Sequence, residues 1–161
     1  MNAHRQTARQ AGFTMVELIV VILILGILSA LALPKFINMG QDARIAKMNA
    51  IYGSVRAASQ VTYAAALVRN QLGATANVSN QSGTNITAVY GYPDTTKATG
   101  IAFAAGLDVT AQNADNVVLD TTTVGTMLIQ GNGAGVTTCQ ISYTVATAAA
   151  PPAITVATSG C

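Results

Sequence analysis

With 161 residues, the chain has room for one domain of ordinary size plus a membrane-length segment. It is 51% hydrophobic and 9% charged, against about a quarter charged in an average soluble domain, so part of it belongs out of water. The net charge of +2 is uneven: Arg5 and Arg9 precede the most apolar run and no Lys or Arg follows Lys97, which argues against the basic, aromatic-interleaved surface of a nucleic-acid reader.

Residues 1–12 hold His4, Arg5 and Arg9 and no acid, the pattern of a positive segment kept on the cytoplasmic side of a membrane. Phe13 to Leu33 follow as an apolar run, uninterrupted from Leu18 to Leu33 and about long enough to span a bilayer. "SALAL", Ser29 to Leu33, only weakly imitates a signal-peptidase site, and the length of the run argues against removal. Glu17 is out of place near the start of this run, because a carboxylate at membrane depth costs a few kcal/mol. Either it snorkels to the interface or a cation neutralises it.

Met48, Ile51, Val55, Ala58, Val61, Ala65 and Val68 recur at steps of three and four, which predicts an amphipathic helix over 35–70. Continuous with the apolar run, it makes a helix of about 80 Å at 1.5 Å per residue. Pro34 is expected to kink it, and Gly26, Gly40 and Gly53 to loosen it. Ser54, Ser59 and Thr62 read as helix-surface or helix–helix polar residues, since no base accompanies them.

Residues 72–84 are rich in Gly, Ala, Ser, Thr and Asn and read as a connecting loop. Strands are expected over 86–92, 101–107, 116–120, 124–130, 139–145 and 153–158, short alternating or β-branched runs between turn residues. "GNGAG", Gly131 to Gly135, reads as a hairpin turn: it precedes no predicted helix and carries no Lys to make it a phosphate loop. The expected fold class is α+β, a long N-terminal α-helix, membrane-spanning then amphipathic, packed on a small antiparallel β-sheet head.

Cys139 and Cys161 both fall late in the chain. In an exported head their spacing reads as a disulfide closing a loop, stabilising by about 3 kcal/mol on the chain-entropy model; in a cytosolic head they read as two buried thiols. Two cysteines and the distant His4 make no metal ligand set, and Asp108, Asp115 and Asp120 are too far apart for a calcium loop. Asn77, Asn80 and Asn85 begin sequon-like triplets of the kind that arise by chance in such a composition. No nucleophile–base pair, metal cluster or phosphate loop is present, so no catalytic residue, no metal and no cofactor is expected.

"GFTMVELIVVILILGILSALALPKF", Gly12 to Phe36, closely resembles the processing segment of type IV pilins and of the related pseudopilins of type II secretion. "PKFINMGQDARIAKMNAIYGSVRAASQVTYAAAL" and "YPDTTKATGIAFAAGL" extend a weaker resemblance to the mannose-sensitive haemagglutinin type, a branch of the type IVa pilins, and "TTCQISYTVAT" with the terminal "SGC" suits the C-terminal disulfide loop of that branch. Met15 and Val16 replace the commoner Leu and Ile, and Ala11 stands where a basic residue often precedes the cut glycine.

The resemblance implies a leader over 1–12 removed between Gly12 and Phe13, N-methylation of Phe13, a transmembrane and fibre-core helix over 13–34, an amphipathic helix over 35–70, and a β-rich head over 71–161. It also makes Gly26 and Pro34 the helix-loosening pair and Glu17 the assembly residue. Cleavage creates an α-amino group at Phe13, largely cationic at neutral pH with a reference pKa near 7.7 to 8. Paired with the Glu17 of its own or of a neighbouring subunit, it neutralises the carboxylate; the family favours the neighbour. Breaking such a pair from one side costs about 3–5 kcal/mol.

The implied partners are copies of the chain in a helical homopolymer, a prepilin peptidase that is also the N-methyltransferase, an assembly ATPase, a platform protein, minor pilins, and the inner membrane before assembly. The implied location is the bacterial inner membrane, in a single pass with the N-terminus cytoplasmic, and then an extracellular pilus serving adhesion, motility or biofilm formation. A pseudopilin of type II secretion and a minor or tip pilin acting as a membrane-tethered binding module are the alternatives.

Overall fold

The computed structural model describes residues 12–36, 39–79, 83–96, 98–107, 117–131 and 137–161, and for residues 31–36 the backbone only. The chain divides into two compact units, Met1–Gly40 and Gln41–Cys161.

In the first unit, Gly12, Phe13 and Thr14 are non-helical and α1 runs over Met15–Phe36. A near-continuous series of Leu, Ile, Val and Ala builds it, apolar on every face. Every side chain from Gly12 to Ala30 is exposed. No helix among the described residues is long and apolar enough to cross a membrane. Continuity between α1 and the next helix depends on residues 37–38, outside the described residues.

The second helix, α2, spans Met39–Val68 and buries Met48, Ile51, Val55, Ser59, Thr62 and Ala66. This line departs from the expected stripe after Val55. A step of three falls about 60° short of a turn and a step of four about 40° beyond it, so the expected steps to Val68 drift about 140° off the core face. Val61 and Val68 are accordingly 68% and 87% exposed. The buried line stays on one face by passing through Ser59 and Thr62, which are core residues of the head and not surface polar residues. Thr62 satisfies its hydroxyl by donating to the Ala58 carbonyl at 2.8 Å.

Two antiparallel sheets form the head, where one was expected. The first contains β1 (Ala76–Ser79), β2 (Asn85–Val89) and β3 (Tyr92–Pro93) in the order β1-β2-β3. β1 lies in the segment read as a loop: with a single β-branched residue it carries little strand signal, and pairing of Val78 with Ile86 supplies the rest. The second contains β4 (Val118–Asp120), β5 (Thr126–Gln130), β6 (Gln140–Thr144) and β7 (Ala153–Ala157) in chain order. The "GNGAG" turn falls largely on residues 132–136, outside the described residues, between the paired β5 and β6.

The strand expected over 101–107 is instead a short helix, α3 (Ile101–Ala104). Gly106, at φ 73°, closes it: Leu107 N–H donates to the Ala102 carbonyl at 2.9 Å and Gly106 N–H to the Phe103 carbonyl at 3.0 Å, the paired bonds of a left-handed glycine stop.

The main core joins Met48, Ile51 and Val55 of α2 to Ile101 and Ala102 of α3 and to Leu119, Met127, Ile129, Ile141 and Tyr143 of the four-stranded sheet. A smaller cluster joins Ala66 to Val78 and Ala88 of the three-stranded sheet. One helix thus carries both sheets, with each fully buried large aliphatic side chain contributing about 1.5–3 kcal/mol.

Candidate processing and assembly site

The Gly12–Phe13 peptide lies just ahead of α1 in exposed, non-helical chain, and the Phe13 side chain is 91% exposed. Nothing stands within 4 Å of where a Cβ on Gly12 would lie. An accessible, irregular bond before a rigid helix suits a peptidase, which needs extended backbone free of intrahelical hydrogen bonds. Residues 1–11, which precede it, are outside the described residues.

Glu17 is held by the start of its own helix. Its Oε2 accepts from the Thr14 amide at 3.0 Å and from the Thr14 hydroxyl at 2.9 Å, while the Glu17 amide donates to Thr14 Oγ1 at 3.3 Å. This is a reciprocal capping box: Thr14 is the N-cap and Glu17 the third helical residue, and each satisfies a backbone N–H that the helix leaves orphaned. The signature Thr-x-x-Glu was readable in "TMVE" and gives the carboxylate a local role beside the one implied by assembly. Oε1 takes no hydrogen bond among the described residues, so one oxygen remains for a partner.

Gly26 lies inside uninterrupted α1 with open space around it, so no contact within the subunit requires a glycine there. α1 also continues past Pro34 to Phe36, and the Pro34 side chain is outside the described residues.

At the other end of the chain, Cys139 and Cys161 are joined by a disulfide across 22 residues, with Cα atoms 4.8 Å apart and both residues buried. The closure is reinforced by backbone: Gly160 N–H donates to the Thr138 carbonyl at 2.9 Å and Gly131 N–H to the Cys139 carbonyl at 3.0 Å. Gly160 is required by this close approach, since a Cβ there would fall 1.8 Å from Thr138 Oγ1. Arg44 of α2 donates its Nε hydrogen to the Cys161 carbonyl oxygen, tying the loop to the helix. No group of three potential metal ligands occurs among the described residues.

The profile of the prokaryotic N-terminal methylation motif matches residues 7–33, which contain the Gly12–Phe13 bond, the capping box and most of α1. The chain is also 44% identical over 50 residues to the type IV narrow pilus major component PilA5 of Thermus thermophilus, a match covering 31% of this chain and 43% of that protein. The match therefore spans less than half the length of that relative. No solved structure matches the chain. The chain thus carries the N-terminal methylation motif, is similar over part of its length to a type IV pilin, and follows its N-terminal helices with antiparallel sheets, as the α+β pilin fold does.

Proposed function

We propose that the chain is a structural subunit of a type IV pilus, cut between Gly12 and Phe13, N-methylated at Phe13 and polymerised into a surface filament. The carrying observation is the coincidence of an exposed Gly12–Phe13 bond with a capped helix whose side chains from Met15 to Ala30 are all exposed. Phe13, Leu23 and Leu28 are 91%, 60% and 57% exposed, an apolar surface that water disfavours and that must be covered.

In this reading lipid covers it first, in the inner membrane over 13–34 with the N-terminus cytoplasmic, and neighbouring subunits cover it afterwards. The α-amino group freed at Phe13 meets the open Oε1 of a neighbour's Glu17 and sets axial register. Before cleavage that amine does not exist, so assembly waits on the peptidase, which is also the methyltransferase. The assembly ATPase, platform protein and minor pilins belong to the same proposal. The disulfide-closed head faces outward, where adhesion, motility or biofilm formation would use it.

Mass spectrometry of sheared surface filaments tests the reading. It should report a mature chain beginning at N-methylated Phe13, with Cys139 and Cys161 disulfide-bonded, as the dominant species. Trace abundance in the filaments would point to a minor or tip subunit, and absence from them to a pseudopilin.

A further inference from the structure

Four of the five tyrosines of the chain gather on one side of the head. Tyr52 lines a hollow of 330 Å³ with Arg56, Gln60 and Tyr92; Tyr63, Tyr90 and Tyr92 line an adjoining hollow of 400 Å³. Tyr92 and Pro151 belong to both, so the two form one cleft between α2, the β2–β3 turn and the segment before β7. Both volumes fall in the range of small-ligand clefts, about 300–1,000 Å³. All four tyrosines are half-buried, which leaves part of each aromatic side chain uncovered. Tyr63 and Tyr92 are stacked, with ring centroids 4.4 Å apart and planes within 10°.

Tyr90 supplies an independent sign of function. It has φ 50° and Gly91 φ 84°, the two central residues of the turn between β2 and β3. Asn, Asp and Gly fill such positions at little strain, whereas a bulky aromatic there is a backbone outlier. Strain of this kind persists where the side chain serves a purpose, and this turn places Tyr90 in the cleft.

The lining selects the ligand class. Arg56 is the cation of the lining and has no partner among the described residues, and no carboxylate lines either hollow. A nucleic-acid strand needs a track of cations, and here there is one. A proline-rich peptide would need the aromatic slot open, and Pro151 and Pro152 of the chain itself already line it. A sugar ring offers an apolar face to stack on tyrosine, hydroxyls for Gln60 and the phenols, and, when acidic, one carboxylate for a bidentate guanidinium.

We propose that the Tyr52–Arg56–Tyr92 cleft binds a saccharide carrying a single carboxylate. Binding is read on the isolated subunit, so it does not depend on the proposed polymerisation, although a filament would multiply a weak site by avidity.

The test is titration of the full-length chain in detergent micelles with sialyllactose, lactose and oligothymidylate, read by tyrosine ring resonances. Sialyllactose should shift the Tyr52 and Tyr92 rings saturably and bind about tenfold more tightly than lactose, as one charge-assisted contact predicts. Arg56→Gln should bring the two sugars to equal affinity. Tyr90→Asn should weaken sugar binding while keeping or raising the melting temperature, because Asn suits the left-handed turn; a purely structural Tyr90 would lower the melting temperature on replacement. Absence of saturable ring shifts, sugar affinities unchanged by both variants, or tighter binding of oligothymidylate than of sialyllactose would each overturn the proposal.

Discussion

The phenol of Tyr143 on β6 donates a 2.6 Å hydrogen bond to the carbonyl of Pro93 on β3, joining the four-stranded sheet to the three-stranded one across 50 residues of sequence. Tyr143 is fully buried, and Ser59, itself buried on α2, acts on the same phenol. The bond therefore fastens one sheet to the other inside the core that α2 completes.

Replacing Tyr143 by Phe removes that oxygen and leaves the Pro93 carbonyl without its donor in a buried setting. The cost expected is about 1–3 kcal/mol, that of orphaning buried polar groups. Denaturant unfolding of the full chain in micelles measures it, and an unchanged midpoint would show that the sheets are held by apolar packing alone.

Alkaline pH probes the same bond. Burial pushes the Tyr143 phenol well above its ordinary value, against a smaller lowering by Ser59, and burial also raises Tyr92. A raised folded value means that the native state holds the proton after the unfolded chain has released it. Stability is therefore fully present below the ordinary tyrosine value near 10 and falls as pH rises beyond it. The melting temperature should be flat to about pH 9 and then decline, and the decline should be shallower in Tyr143→Phe. An equal slope in both proteins would assign the alkaline loss to other groups.

The N-terminal methylation motif was legible because its signal is local. A cap and an unbroken apolar run need no knowledge of what packs on them. The stripe on α2 was legible only as far as Val55, because the sequence offers Val61 and Val68 as apolar candidates while the core takes Ser59 and Thr62, and which positions are covered depends on elements elsewhere in the chain. β1 was unreadable for the same reason, its pairing with β2 being non-local. α3 and the capping box were different: "AAG" and "TMVE" carried the glycine stop and the cap signature, and periodicity of apolar residues masked the first.

Removing the disulfide with Cys139→Ala/Cys161→Ala should destabilise the head by about 3 kcal/mol on the chain-entropy model for a loop of this size. The fold should survive, since Gly160 remains bonded to Thr138 and Arg44 still reaches the last carbonyl. Gly160→Ala attacks the same closure with the cysteines retained, because its Cβ would collide with Thr138. Unfolding of both variants under oxidising conditions checks this. If the cysteine-free chain matched the parent, the backbone bonds would be the effective staple.

Two variants of Glu17 separate its cap from its charge. Glu17→Gln keeps an acceptor at the third helical position, so the reciprocal bonds with Thr14 persist, but it carries no charge to meet a neighbour's amine. Glu17→Ala loses both. If the carboxylate sets register in the filament, both variants should leave processing at Gly12 intact and cut the yield of sheared filaments severely, consistent with the about 3–5 kcal/mol cost of an unpaired charge in a dry interface. If Glu17 serves only as a cap, the Gln variant should assemble like the parent and the Ala variant should lose about 0.5–2 kcal/mol of helix stability. Filament yield by shearing, read against the mature N-terminus by mass spectrometry, decides between them: the Gln variant is the informative one, because charge is all it changes.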